Sequence, residues 1–177
     1  DKKQTKRNKS DERFNNYKKQ PLKFLFPKNF NGSLPSIERN KINAAVLREK
    51  GSNSEREMAF MMSNSGFNVK DIHMTDIISG EESLEDIQLL VAVGGFSNSD
   101  VLGSAKGWAG SFIFNPTAKK TLENFFDRDD TLSLGVCNGC QLFIELGLIN
   151  KDHSDKPKML HNDSGKFECV FSSVEIK

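Results

Sequence analysis

The feature that most constrains the fold is a short segment, residues 131–147, in which an apolar stretch runs through a glycine-flanked cysteine into an amphipathic pattern. It reads Thr131-Leu-Ser-Leu-Gly-Val-Cys137-Asn-Gly-Cys-Gln-Leu-Phe-Ile-Glu-Leu-Gly147. The apolar stretch predicts a strand and the later periodicity a helix, with Cys137 at the turn between them. Unpaired N–H groups at a helix start favour negative charge, and the flanking glycines permit a sharp turn. The segment therefore predicts a nucleophilic cysteine at a strand-to-helix elbow, suited to acyl transfer.

The rest of the chain from residue 42 alternates strand and helix patterns. Residues 43–47, 67–74 and 87–93 read as strands, and residues 117–126 as an amphipathic helix. Another helix runs through 57–62 to Gly66, with Ser52 or Ser54 as its cap, and a glycine-rich loop carries Trp108. The alternation predicts an α/β fold with a mainly parallel sheet covered on both faces. Ligands bind beyond the carboxyl ends of such strands, so loops 48–54, 94–100 and 137–139 should converge on one crevice.

Charge is distributed unevenly along the chain. Residues 1–40 hold eleven Lys/Arg and four Asp/Glu, a local excess of +7 in a chain of net charge +1. No aromatic side chains are interleaved with these basic residues in the manner of a nucleic-acid site, so we interpret residues 1–40 as a connector between domains. Phe24, Phe26 and Phe30 suggest that part of it packs on a neighbouring surface. Residues 41–177 then form the domain that carries the chemistry.

The composition also bears on the compartment. No apolar run approaches the roughly 18 residues of a membrane span, and no secretory signal opens the chain. Three cysteines without a leader favour a reducing compartment over a disulfide framework. We therefore expect a cytoplasmic protein with neither a membrane nor a nucleic acid as partner. Because the chain begins at Asp1 rather than methionine, we also expect a piece of a longer polypeptide.

A Gly-Gly pair directly follows the apolar strand at 87–93. Glycine tolerates the dihedral angles and the close approach that point backbone N–H groups at a ligand. The amide of Gly95 and the amide of Asn138 could together form an oxyanion hole for a tetrahedral intermediate on Cys137.

Six short motifs carry a family resemblance. They are Val46-Leu-Arg-Glu-x-Gly-x-Asn53, His73-Met-x-Asp76, Gly94-Gly-Phe-Ser97, Asp100-Val-Leu-Gly103, Gly107-Trp-Ala109 and Gly135-Val-Cys-Asn-Gly-Cys-Gln141. From about residue 42 to about residue 170, the chain resembles the glutaminase domain of the phosphoribosylformylglycinamidine synthases, which are triad-type (class I) glutamine amidotransferases. The resemblance implies a flavodoxin-like three-layer sandwich.

The resemblance also implies roles for individual residues. Cys137 is the nucleophile that attacks the side-chain amide of glutamine, and Gly95 and Asn138 supply the oxyanion-hole amides. Gly94, Phe96 and Gln141 line the substrate pocket. The released ammonia passes to synthetase domains of the same longer polypeptide, where ATP and Mg²⁺ are expected and formylglycinamide ribonucleotide is aminated in purine biosynthesis. No cofactor or metal is expected in this chain.

One part of the family's machinery is not found in the sequence. The family's mechanism needs a histidine base held by a glutamate well downstream of the cysteine, and this chain ends at Lys177, before that point. His161 aligns with a family position usually held by arginine, so we do not expect it to be the base. We therefore expect a truncated domain with little or no glutamine turnover, able to self-associate through exposed sheet edges.

Several other interpretations stay open. Cys137 and Cys140 form a C-x-x-C that could be a redox pair, whereas Cys169 with scattered histidines is poor support for zinc. Another cysteine hydrolase of the same fold is possible, although such enzymes usually place a histidine where Asn138 stands. A catalytically incomplete regulatory or interaction domain is the non-enzymatic alternative.

Overall fold

The computed structural model describes residues 2–19, 28 and 42–169. The chain divides into two compact units, Asp1–Ser33 with Leu160–Lys177, and Leu34–Met159. In the first unit, helix α1 (Lys2–Lys19) is polar along its length, and its described side chains are exposed. The role of residues 1–40 as a connector stays a prediction. The predicted packing of Phe24, Phe26 and Phe30 lies outside the described residues.

The second unit is built on a parallel sheet. Its strands are β1 (Asn43–Arg48), β2 (Ser52–Asn53), β3 (Asn68–His73), β4 (Leu89–Ala92), β5 (Gly94–Gly95) and β6 (Leu132–Gly135). Four of them form one sheet in the order β3-β1-β4-β6, with every neighbouring pair parallel. The short strands β2 and β5 pair antiparallel beyond the carboxyl ends of β1 and β4. Among the described residues β6 is an edge strand of this sheet, next to β4, and the cysteine segment follows it.

Helices cover both faces of this sheet. They are α2 (Glu55–Asn64), α3 (Met74–Ser79), α4 (Lys106–Ile113), α5 (Pro116–Phe126) and α6 (Asn138–Glu145). Successive strand residues point to opposite faces. Leu47, Ile72 and Leu90 belong to the larger core, which includes Trp108, Phe125 and Phe143 from the later helices. Val46 and Val91 face the other way and form a smaller core with Met62 of α2. The predicted three-layer α/β architecture is confirmed.

Two helices arise where the sequence predicted something else. Residues 106–113 form α4 instead of the predicted glycine-rich loop, and the indole of Trp108 is fully buried in it. Helix α3 begins at Met74, the last residue of the predicted strand 67–74, and the sequence analysis assigned no helix there. His73 caps this helix. Its ring Nδ1 accepts the Thr75 N–H at 3.2 Å, and its backbone N–H donates to the Asp76 carboxylate at 3.0 Å.

The predicted start of α2 is only partly right. Ser54 occupies the position before the helix, but its side chain makes no capping hydrogen bond and its φ is +72°. Ser52 lies in β2 instead. Within the described residues, no helix has both the length and the apolar character needed to cross a membrane.

Replacing Asn115 tests how much the N-terminal cap of α5 contributes to the stability of the domain. The Asn115 side chain accepts the Ala118 N–H at 2.8 Å, and Pro116 follows it as the first residue of α5. We expect Asn115→Ala to lower the free energy of unfolding by about 1 kcal/mol, because that N–H loses its acceptor. Urea unfolding followed by circular dichroism measures the change. Asn115→Asp, which keeps an acceptor oxygen, should retain most of the stability; equal losses in both variants would contradict a capping role.

Candidate active site

Cys137 stands at a strained turn between β6 and α6. Its backbone has φ +52° and ψ −107°, a conformation that residues other than glycine seldom adopt. Strain of this kind costs of order 1–3 kcal/mol and persists only where the surroundings impose it. The turn leaves the side chain exposed at the start of α6, where it makes no capping hydrogen bond. The predicted elbow is therefore present.

Two glycines allow α6 to approach the sheet closely enough to impose that turn. A methyl group on Gly139 would lie 2.0 Å from the carbonyl oxygen of Ala92 in β4. A methyl group on Gly135 would lie 2.7 Å from the Gly139 carbonyl oxygen. Neither position can hold a side chain unless the backbone moves. The G-x-C-x-G spacing is thus a packing requirement of the strand-to-helix junction.

The loop after β4 lies against the cysteine. A methyl group on Gly94 would be 3.3 Å from the Cβ of Cys137 and 3.9 Å from its Sγ. Gly95 has φ +107° and is in close contact with the β2 segment, where an added methyl would lie 2.6 Å from the Asn53 nitrogen. The Gly-Gly pair therefore brings bare backbone to the side of the thiol.

Backbone hydrogen bonds join this loop to the one that follows β1. The Phe96 N–H donates to the Gly51 carbonyl at 2.9 Å, and the Asn98 N–H donates to the Lys50 carbonyl at 2.8 Å. The Phe96 amide is therefore engaged by the neighbouring loop. The Phe96 side chain remains 70% exposed. Strand ends β1, β4 and β6 thus contribute adjoining loops, which is the convergence that the sequence predicted.

The same loop continues through a run of left-handed residues. Asn98, Ser99 and Asp100 have φ between +51° and +58°. Asparagine and aspartate tolerate this region better than most residues. The Asp100 carboxylate accepts the Ala105 N–H at 3.4 Å, and its carbonyl accepts the Gly103 N–H at 2.9 Å. This turn holds the chain between the site and α4.

The side chain of Asn138 connects the loop to the elbow. It is 2% exposed, and its Oδ1 accepts the Ser97 N–H at 3.1 Å. Its Nδ2 donates to Oε1 of Gln141 at 2.9 Å. One buried amide therefore ties together the β4 loop, the residue after the cysteine and the predicted substrate-pocket glutamine.

Charged side chains at the ends of β1 and β3 pair with one another. Arg48 donates to Asp71 at 2.8 Å, and this hydrogen bond, opposed by partial desolvation, raises the pKa of the guanidinium above its ordinary value. The Glu49 carboxylate is nearly buried and lies 4.0 Å from Nε2 of His73. The Glu49 N–H also donates to the Ser52 hydroxyl at 3.1 Å, and this hydrogen bond joins the end of β1 to β2.

The histidines of the second unit have partners of their own. Nδ1 of His73 accepts the Thr75 N–H, and Nδ1 of His153 accepts the Asp155 N–H at 3.1 Å. His161 belongs to the first unit.

Cys137, Cys140 and Cys169 are free thiols. Across the described part of the chain, no group of three or more His, Cys, Asp and Glu side chains is arranged to hold a metal ion.

Comparison with known proteins decides the family. The model of the CobB/CobQ-like glutamine amidotransferase domain matches residues 41–177. The chain belongs to this amidotransferase family.

Two relatives extend the comparison. The chain is 42% identical over 173 residues to the probable phosphoribosylformylglycinamidine synthase, chloroplastic/mitochondrial, of Arabidopsis thaliana, covering 90% of this chain and 12% of that protein. It also resembles the structure of PurLQS from Thermotoga maritima, with a TM-score of 0.55 and 30% identity over 73% of this chain and 53% of that one. The chain thus spans about an eighth of the plant relative's length and about half of the other's. The resemblance deduced from the six motifs is confirmed.

The structure brings Gly94, Asn138 and Gln141 close to Cys137, while the catalytic and binding roles of all the predicted site residues stay predictions. Gly94 lies beside Cys137, Gly95 pairs with β2, and Asn138 and Gln141 are hydrogen-bonded to each other. The sequence analysis missed the buried side-chain link from Asn138 to Ser97. The Gly-Phe-Ser motif after β4 draws attention to Ser97. The motif does not show that Ser97 is hydrogen-bonded to Asn138, which lies 41 positions later.

Substituting Gly139 tests whether close packing holds the elbow. We expect Gly139→Ala to lower the free energy of unfolding by about 1–3 kcal/mol or more, because the new methyl overlaps the Ala92 carbonyl. Urea unfolding gives the value. Gly110→Ala in α4 is the matched control: its methyl meets only ordinary contact with Phe114 at 3.7 Å, and it should stabilise the helix by roughly 0.5–1 kcal/mol. Equal effects at both glycines would rule out a special role for the junction.

Proposed function

We propose that this chain is the glutaminase domain of a phosphoribosylformylglycinamidine synthase, in which Cys137 hydrolyses glutamine to supply ammonia. The observation that carries the proposal is the strained elbow that presents Cys137 beside Gly94 at the start of α6. Family membership and the name of the plant relative support the choice of amidotransferase. The whole enzyme's reaction belongs to the proposal, because this chain corresponds to only 12% of that relative.

The proposed reaction uses the site in two stages. The Sγ of Cys137 attacks the side-chain amide carbon of glutamine, and a tetrahedral intermediate with an oxyanion forms. The N–H groups of Gly95 and Asn138 stabilise that oxyanion. Asn138 is the first residue of α6, so its amide is among those that a helix leaves without an internal partner. The proton lost by the Cys137 thiol goes to the leaving nitrogen, so that ammonia departs and a glutamyl thioester remains. Water then hydrolyses the thioester to glutamate and restores the thiol.

Within the loop after β4, the Phe96 amide already donates to Gly51, which favours Gly95 as the loop's contribution to the oxyanion hole. Gly94, Phe96 and Gln141 would bind the substrate. Gly94 lies against the thiol, Gln141 is hydrogen-bonded to the residue after the cysteine, and Phe96 is exposed on the loop that follows Gly95. We assign neither His73 nor His153 as the base, because each already uses its Nδ1 to accept a local backbone N–H. We accordingly expect slow turnover from this chain alone.

The ammonia would pass to synthetase domains, where ATP and Mg²⁺ drive amination of formylglycinamide ribonucleotide. These cofactors belong to those domains and not to this chain. A reducing compartment such as the cytoplasm suits the proposal, because the three cysteines are free thiols. Self-association through the edge strand β6 is also proposed, since its residues Leu132 and Leu134 are exposed.

The redox and regulatory alternatives make different predictions about the thiol. A dithiol pair would need Cys140 as much as Cys137, yet Cys140 lies within α6 and is only partly exposed. A regulatory domain would have no need to keep the strained cysteine backbone. Reactivity that is confined to Cys137 and competed by glutamine is expected from the glutaminase alone.

Labelling with a diazo-ketone analogue of glutamine tests the proposal. In this step the thiol proton moves to the diazo carbon, N₂ leaves, and a bond forms between carbon and Sγ. Intact-mass spectrometry should show a single adduct equal to the analogue minus N₂. We expect it to disappear in Cys137→Ala and to persist in Cys140→Ala, and L-glutamine should slow its formation while L-asparagine should not.

Other outcomes would overturn the proposal. Labelling shared between Cys137 and Cys140 would favour the redox pair. A folded protein that forms no adduct would favour the regulatory or interaction domain. Circular dichroism on the same samples establishes that each variant is folded.

A further inference from the structure

We infer that the side chain of Asn138 is a positioning residue: it fixes the loop after β4 against the nucleophile elbow and sets which end of the Gln141 amide faces the substrate. The inference rests on the proposed function, and it concerns the side chain alone. The Asn138 backbone amide, which we assign to the oxyanion hole, is present whatever residue stands at this position.

The hydrogen bonds determine the orientation of both amides in sequence. The Ser97 N–H can only donate, so the atom of Asn138 that lies 3.1 Å from it must be the oxygen Oδ1. The other end of the Asn138 amide is therefore the NH₂ group. Because that group donates at 2.9 Å, the facing atom of Gln141 must be its oxygen Oε1. A backbone donor in the β4 loop thus sets the orientation of a side chain on α6.

This orientation gives Gln141 a defined chemistry. With Oε1 occupied by Asn138, the NH₂ group of Gln141 is the end that remains to serve a ligand. An NH₂ group donates, so it matches an acceptor such as the carboxylate or the side-chain carbonyl oxygen of an amino-acid substrate. Asn138 would therefore make the pocket selective for an acceptor at that point.

Burial makes the link costly to break. Asn138 and Ser97 are each 2% exposed, so water cannot readily replace the lost partner of the Ser97 N–H. The Ser97 hydroxyl already has no hydrogen-bond partner among the described residues. A buried donor that loses its acceptor is destabilising, because neither the protein nor water replaces the hydrogen bond. The side-chain amide of Asn138 therefore keeps the loop, and with it Gly94 and Gly95, in register with Cys137.

Two substitutions separate the two functions of this side chain. Asn138→Asp keeps an oxygen for the Ser97 N–H but cannot donate to Gln141. Asn138→Ala loses both bonds. Asn115→Ala, which removes an asparagine side-chain hydrogen bond at the start of α5, is the matched control. All are made in the full chain, and urea unfolding confirms that each variant is folded.

Three readouts are compared. Diazo-ketone labelling is resolved into the inactivation constant KI and the maximal rate kinact, and iodoacetamide reports the bare reactivity of Cys137. We expect Asn138→Asp to raise KI about tenfold, the effect of losing one oriented hydrogen bond. Its kinact, relative to the iodoacetamide rate, should fall less than in Asn138→Ala, because the oxygen that accepts the Ser97 N–H is kept. Asn138→Ala should raise KI and also lower kinact, because the oxyanion loop is no longer fixed.

Hydrogen exchange of the Ser97 amide tests the link independently of any ligand. Exchange should accelerate at least tenfold in Asn138→Ala, and remain slow in Asn138→Asp and in Asn115→Ala. An unchanged KI and unchanged Ser97 exchange in Asn138→Ala would overturn the inference. If the unsubstituted chain forms no adduct, the proposed function fails, whereas the exchange result still decides whether Asn138 fixes the loop.

Discussion

The structure depends on the direct contact between the first turn of α6 and the carbonyl of Ala92 in β4. That contact exists only because residue 139 is glycine. It draws the helix onto the sheet so closely that the intervening residues must turn through a conformation unfavourable for Cys137. The strain is thus a consequence of packing between two rigid elements. It places an exposed thiol at a helix start, where partial positive charge from unpaired amides is concentrated.

The loops around this thiol are held by different means. The β4 loop is attached to the β1 loop by backbone hydrogen bonds, and to the elbow by the buried side chain of Asn138. The β1 loop is supported in turn by the hydrogen bond between Glu49 and Ser52. The backbone N–H and the ring of His73 both make hydrogen bonds that cap α3. The end of β3 therefore contributes structure, and the ends of β1, β4 and β6 contribute the site.

Much of this arrangement was predictable from sequence, because strands, the elbow and the loop convergence follow from short patterns. Helix α4 was missed because Gly107 and Gly110 read as loop signals. Burial of Trp108, Ala109 and Phe112 overrides that local preference. Helix α3 was missed because its capping residue, His73, also completes the alternation of a strand. The link from Asn138 to Ser97 could not be predicted, because it depends on β4 and β6 being neighbours in the sheet.

The paired backbone bonds from Phe96 and Asn98 to Gly51 and Lys50 constrain how this domain can diverge. Two loops that exchange main-chain bonds at fixed positions must keep matching lengths, whatever their side chains become. A residue inserted into either loop would shift those bonds out of register and displace Gly94 from the thiol. Among relatives that retain the chemistry, length changes in the two loops should therefore occur together, although more than forty residues of sequence separate them.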